Sequence, residues 1–191
     1  MKRLLLCLSL VCVAAKPAAP SLTENESSKL AKGQIVVRHA DSEQGGGVTA
    51  VALVNAPPRK VLDEVMRVEA RPAESSALTS VEVYLKQATP DRTGATFTVT
   101  VMGSNTVFSI LYDCHRAEGY CTYALDPTKK NDLVRADGHY LVVAEGDRTR
   151  LVYSSRAETG RSMPGWIRRW IAGSSLSSQV EGIRKRAETK Q

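Results

Sequence analysis

Two periodicities divide this chain. From Leu78 to Ala157 apolar and polar positions alternate, as in strands with one buried face, whereas on either side apolar residues recur at three- and four-residue spacing, as on helices. Val48, Ala50, Ala52 and Val54 interleave with Thr49, Val51 and Leu53, which predicts a first strand buried over most of its surface. Pro57-Pro58 then opens a helix, since a proline in the first turn loses no hydrogen bond. Its stripe is Val61, Leu62, Val65 and Met66, with Arg59, Lys60, Asp63, Glu64 and Arg67 expected outside, and Arg71-Pro72 is expected to end it.

A ladder of strands follows. Val81, Val83 and Leu85 share one face of the next strand; Phe97, Val99 and Val101 share one in the strand after Pro90-Asp91. Gly103-Ser104-Asn105 turns the chain into Phe108, Ile110, Tyr112 and Cys114, answered across a hairpin by Cys121, Tyr123 and Leu125. Val134, Ala136, Gly138, Tyr140 and Val142 lead through Glu145-Gly146-Asp147 to Leu151, Tyr153, Ser155 and Ala157. Short turns between neighbours imply an antiparallel meander. A last helix is expected from Met163 to about Ala187, capped by Ser162, with Trp166, Trp170, Leu176, Val180, Ile183 and Ala187 on its stripe. The predicted fold is α+β: a curved, seven-stranded antiparallel sheet wrapped around a long C-terminal helix, a layout that commonly encloses a cavity.

Composition changes this picture little. With 191 residues, 42% hydrophobic and 24% charged, the chain suits one domain with appendages. The start is different. Lys2 and Arg3 precede an apolar run from Leu4 to Val13, too short to span a bilayer, and Val13-Ala14-Ala15 supplies small residues for a signal peptidase. Residues 1–15 are therefore read as a signal peptide, a retained anchor being the alternative, and the protein as exported, either periplasmic or secreted. Residues 16–45 are read as a flexible tether, 46–187 as the domain and 188–191 as a tail. Losing Lys2 and Arg3 leaves 24 basic against 20 acidic residues, a surplus too mild to argue for nucleic acid. Cys114 and Cys121, symmetric about Ala117-Glu118, are expected to form a disulfide across the hairpin.

The chemistry is sparse. His39, His115 and His139 do not cluster, no histidine pair has metal-ligand spacing, and Gly45-Gly46-Gly47 lacks the Lys-Ser/Thr of a phosphate loop. No Gly-x-Ser-x-Gly elbow is present, and Asp113, Glu118, Asp132 and Asp137 sit near turns. The reading is of no catalytic residues, no metal and no cofactor.

The segment Val54-Asn55-Ala56-Pro57-Pro58-Arg59-Lys60-Val61 resembles the strand, Ala-Pro and helix opening of the START-like (SRPBCC) superfamily, nearest its polyketide cyclase/dehydrase and coenzyme Q-binding branches. The resemblance continues through Gly138-His139-Tyr140 and Thr149-Arg150-Leu151-Val152-Tyr153 to Pro164-Gly165-Trp166-Ile167-Arg168-Arg169, and covers residues 46–187. It implies a helix-grip fold around an apolar ligand cavity. The usual tryptophan-rich segment after the first helix is replaced here by Val68–Ser75, so ligand identity does not transfer. The expected function is noncatalytic binding or transport of a lipid, quinone or similar apolar molecule. The alternatives are a cyclase or dehydratase acting on a small apolar substrate, and an envelope protein-interaction domain. Val83, Phe97, Val99, Phe108, Ile110, Tyr112, Tyr123, Tyr140, Tyr153, Trp166 and Trp170 are the expected ligand-lining residues. Arg168, Arg169, Arg184, Lys185 and Arg186 suggest a transient contact with an anionic membrane surface, a solvated helix face being the alternative.

Overall fold

The computed structural model describes residues 16–41, 45–75, 77–101, 103–158 and 175–189. Its centre is one open, curved antiparallel sheet of eight strands, not seven. These are β1 (Val36–Asp41), β2 (Gly45–Val54), β3 (Leu78–Ala88), β4 (Asp91–Val101), β5 (Ser104–His115), β6 (Tyr120–Leu125), β7 (Arg135–Glu145) and β8 (Arg148–Glu158). Their spatial order is β1-β2-β8-β7-β6-β5-β4-β3. The meander β3 to β8 is the predicted ladder, and β2 closes back on β8, with Ala50 opposite Tyr153 and Ala52 opposite Leu151.

The additional strand comes from the segment expected to be a tether. Within residues 16–45, α1 (Glu24–Ala31) and β1 are both formed. The α1 stretch shows little apolar periodicity, and its stability comes from its ends and its contacts. Thr23 and Glu26 make a reciprocal cap, and Glu26 also accepts two hydrogen bonds from Arg38 on β1, at 2.7 and 2.5 Å. Leu30 and Val36 then join Val51, Tyr120, Leu141 and Val152 in a small apolar cluster on the convex face of the sheet.

The main core lies on the concave face. There α2 (Pro58–Met66), a 3-10 turn (Val68–Glu74) and α3 (Ser175–Glu188) meet the inward residues of β2 and β4–β8. Val61, Leu62, Val65 and Met66 are buried, as their spacing predicts. Glu64 was expected outside but is only 6% exposed. The approach of α3 encloses it, and Arg67 and Arg186 neutralise it at 3.1 and 2.9 Å. Arg71-Pro72 does not simply end the helix: α2 stops at Met66 and the chain tightens into the 3-10 turn, which turns Arg71 inward. Trp166, Trp170, Ser162, Arg168 and Arg169, with the expected signal segment, lie outside the described residues, so the terminal helix is seen from Ser175 onward.

Cys114 and Cys121 face each other directly in the β5–β6 register and form a disulfide, with Cα atoms 4.1 Å apart. The turn between them places Gly119 at φ +78°, a conformation that suits glycine, and its carbonyl accepts from Val142 N–H at 2.8 Å. No helix among the described residues is long and apolar enough to cross a membrane.

Candidate functional site

The strand register brings the predicted lining residues to one face. Thr93 pairs with Tyr112, Ala95 with Ile110 and Phe97 with Phe108; Tyr112 pairs with Tyr123, and Tyr140 with Tyr153. Phe97, Ile110, Tyr112, Tyr123, Tyr140 and Tyr153 are buried together, with Val83 and Phe108 half-buried against them. Val99 is buried too, but nearer the end of β4 and outside this group. Among these residues the four tyrosines gather at the centre. The rings of Tyr140 and Tyr153 stack with centroids 4.3 Å apart, and Tyr123 tilts onto both at 5.9 and 6.2 Å. Phe97 and Phe108 stack at 5.6 Å on the apolar side of the group.

Gly138 makes this packing fit. The ring of Tyr123 occupies the space that its missing side chain leaves. A Cβ at Gly138 would lie 2.5 Å from the Tyr123 hydroxyl oxygen and would collide with the Ser154 carbonyl oxygen.

In the middle of the tyrosines sits Arg71, 3% exposed. Its Nη1 donates to the Tyr112 hydroxyl at 2.6 Å and its Nη2 to the Val65 carbonyl at 3.0 Å. Its guanidinium carbon lies 5.0, 5.6 and 5.9 Å from the ring centroids of Tyr112, Tyr140 and Phe97. Gln179 reaches in from α3: with its amide turned to suit its neighbours, it accepts from Arg71 Nε at 3.3 Å and Nη1 at 3.1 Å, and donates to the Tyr153 hydroxyl at 3.2 Å. Among the described residues no carboxylate lies within ion-pair distance of Arg71. Burial opposes its charge, but the phenols of Tyr112, Tyr140 and Tyr153 outweigh that effect, and Arg71 stays protonated. Burial pushes the Tyr112 phenol up to about 12 despite the opposing Arg71 charge, and raises Tyr123 and Tyr140 well above 10.0. The Tyr140 hydroxyl, fully buried beside that of Tyr153, makes no hydrogen bond of normal geometry.

Arg71 and Gln179 were not predicted as site residues. Nothing in the periodicity marks Arg71, because its burial follows from the 3-10 turn. Gln179 was legible in principle. It lies three residues after Leu176 and four before Ile183, a polar residue on an apolar stripe.

Other candidates are used elsewhere. His39 is on β1, His139 on β7, and His115 stacks on Tyr120 at 4.5 Å. Among the described residues no three His, Cys, Asp or Glu side chains are grouped to hold a metal. Arg184 donates to the Gly33 carbonyl at 2.7 Å and pairs with Glu181, while Arg186 pairs with Glu64. Two of the basic residues considered for membrane contact are thus held within the molecule. A surface depression of 320 Å³, lined by Ala88, Asp91, Cys114 and Arg116, is spanned by the pairing of Arg116 with Asp91 and Asp63.

No protein-family model matches the sequence, and no curated protein matches it either. Solved structures do match in shape. A STAR-related lipid transfer protein from Xanthomonas axonopodis superposes with a TM-score of 0.67 at 15% identity, covering 81% of this chain and 94% of that one. A START superfamily protein from Mycobacterium smegmatis gives 0.60 at 19% identity, covering 74% and 97%. The Zhui aromatase/cyclase of a Streptomyces species gives 0.59 at 15% identity, covering 80% and 94%. With its curved antiparallel sheet closed by a C-terminal helix, this chain has the START-like (SRPBCC) helix-grip fold.

Proposed function

We propose that this protein is a noncatalytic binder or carrier of an apolar ligand in an extracytoplasmic compartment, and that the ligand lies between the concave sheet face and the terminal helix. The observation that carries this reading is the composition of that face. Phe97, Phe108 and Ile110 supply apolar surface beside a buried cluster of phenols and one guanidinium, a mixture suited to a mostly apolar molecule with one polar end. Burying such a molecule gains about 25 cal/mol per Å² of apolar surface. The similarity in shape to a lipid transfer protein supports the ligand class, and the Cys114–Cys121 disulfide is compatible with an oxidising compartment.

A cyclase-like activity is the second reading, favoured by the polar cluster itself and by the likeness in shape to an aromatase/cyclase. Its weakness is chemical. General acid–base catalysis needs a group that exchanges protons near the working pH. The raised phenols and the protonated Arg71 are not such groups, and among the described residues no carboxylate or imidazole hydrogen-bonds to them.

The test is extraction. Native mass spectrometry of protein purified from its own host, followed by solvent extraction, is expected to release a stoichiometric apolar molecule. The emptied protein should take up the neutral probe N-phenyl-1-naphthylamine, with its fluorescence rising. Ile110→Trp should lower probe binding more than it lowers the unfolding temperature. No extracted molecule and no probe uptake together would overturn the proposal.

A further inference from the structure

The cluster around Arg71 contains a charge that no carboxylate among the described residues pairs with. Glu64, on the preceding helix α2, is already held by Arg67 at 3.1 Å and Arg186 at 2.9 Å, and Glu69, on the same turn as Arg71, pairs instead with Lys86 at 3.6 Å. Arg186 is close enough to Arg71 for the two charges to interact. Glu64 thus already answers two other arginines near Arg71. The partners Arg71 does have are a neutral phenol, a backbone carbonyl and an amide. Such partners solvate a cation without neutralising it, and a buried charge without a counter-charge is unfavourable.

The donor count points the same way. A guanidinium has five N–H groups. Tyr112, Val65 and the two contacts to Gln179 use four of them and leave one on Nη2. The Tyr140 hydroxyl, whose ring faces the same guanidinium at 5.6 Å, also makes no hydrogen bond of normal geometry among the described residues, although the Tyr153 hydroxyl lies beside it. Two donors without a regular acceptor and one positive charge without a counter-charge among the described residues thus lie among the tyrosines, beside the apolar surface of Phe97, Phe108 and Ile110. The segment that supplies Arg71 is Val68–Glu74, where the sequence departs from its START-like resemblance.

We infer that the ligand of this protein ends in an anionic oxygen group, a carboxylate or a phosphate, and that Arg71 and Tyr140 hold that group while the apolar remainder lies along Phe97, Phe108 and Ile110. The inference rests on the carrier reading and deepens it. An oxygen anion accepts from both donors, supplies the missing negative charge and matches the planar guanidinium.

The experiment displaces N-phenyl-1-naphthylamine from the emptied protein with oleate, methyl oleate and 1-oleoyl lysophosphatidate. The ester shares the chain of oleate and lacks its charge. Oleate is expected to compete about tenfold better than methyl oleate, the scale of one charge-assisted hydrogen bond. The lysophosphatidate arm distinguishes a phosphate end from a carboxylate end. The oleate-to-ester ratio, measured within each variant, should fall towards one in Arg71→Gln and by about threefold in Tyr140→Phe, which loses one neutral donor. Tyr140→Phe also guards against misfolding. It removes a buried hydroxyl that makes no hydrogen bond of normal geometry in the free protein, so its unfolding temperature should not drop while its preference for the anion does. If the probe binds and the wild type treats acid and ester alike, the anion inference fails while the carrier reading stands. A preference that persists in both variants would overturn it as well. If neither probe nor oleate binds, the carrier reading has failed and the inference falls with it.

Discussion

The Arg71 guanidinium donates to the Tyr112 hydroxyl at 2.6 Å, tying the turn after α2 to the middle of β5 across the concave face. Tyr112→Phe keeps the ring and removes the acceptor, leaving a buried, charged donor short of a partner. A loss of about 1–3 kcal/mol is expected. Urea unfolding followed by far-ultraviolet circular dichroism checks it, and an unchanged midpoint would mean that Arg71 finds an equivalent acceptor.

Gly138→Ala should be more damaging than its size suggests. The added methyl meets the Ser154 carbonyl on the neighbouring strand as well as the Tyr123 ring. Side chains can shift, but a strand backbone moves only by breaking its ladder. A loss of about 3 kcal/mol or more is expected, at the upper end of overpacking costs. Adding Tyr123→Leu should recover only part of it, because the carbonyl remains. Full recovery in thermal melts of the double variant would show that the ring alone sets the limit.

Reduction of Cys114–Cys121 opens a short loop, since the cysteines are 7 positions apart. Loop-closure entropy predicts a loss of about 2.5 kcal/mol, and the sheet should survive because β5 and β6 also pair through their backbones. Calorimetry with and without a reductant reads the shift. No change in unfolding temperature on complete reduction would contradict the estimate.

Stability should fall on mild acidification through His139. Burial first, and then the Arg156 charge, lowers its pKa below 6.5. The unfolded chain therefore binds this proton more readily than the folded one. The contribution of His139 is complete above about pH 6.5 and is lost as pH falls from there through the lower folded value. Between pH 7.5 and 5, His139→Gln should lose less stability than the wild type. Parallel curves in urea titrations across that range would remove His139 as the cause.

A chain that begins at residue 45 lacks α1 and β1 and uncovers Val51, Tyr120, Leu141 and Val152 on the convex face. It also loses the burial of Leu30 and Val36, each about 1.5–3 kcal/mol. The shortened protein is expected to melt earlier and to bind the dye ANS more strongly than the full chain. Equal melting and equal dye binding would show that the N-terminal segment is dispensable to the fold.

The alternation in β3 to β8 and the stripe Val61, Leu62, Val65 and Met66 were legible because each signal is local: a strand face repeats every two residues and a helix face every three or four. The disulfide was legible for the same reason, as two cysteines equidistant from a turn face each other in any regular hairpin. α1 and β1 were not. α1 depends on Glu26 reaching Arg38 and on Leu30 entering a cluster whose other members lie far along the chain, and no window of sequence contains those partners.

At the site the division is sharper. The sequence by itself determined that Phe97, Phe108, Ile110 and the four tyrosines share the inner face of the sheet, since register and alternation allow no other arrangement of an antiparallel meander. Only the tertiary structure decided that Arg71 would stand among them. A charged residue beside a proline reads as a surface helix end, and it becomes buried here because the 3-10 turn bends it under the sheet. Tyr112, the Val65 carbonyl and Gln179, brought together from three separate elements, then replace part of the water it lost.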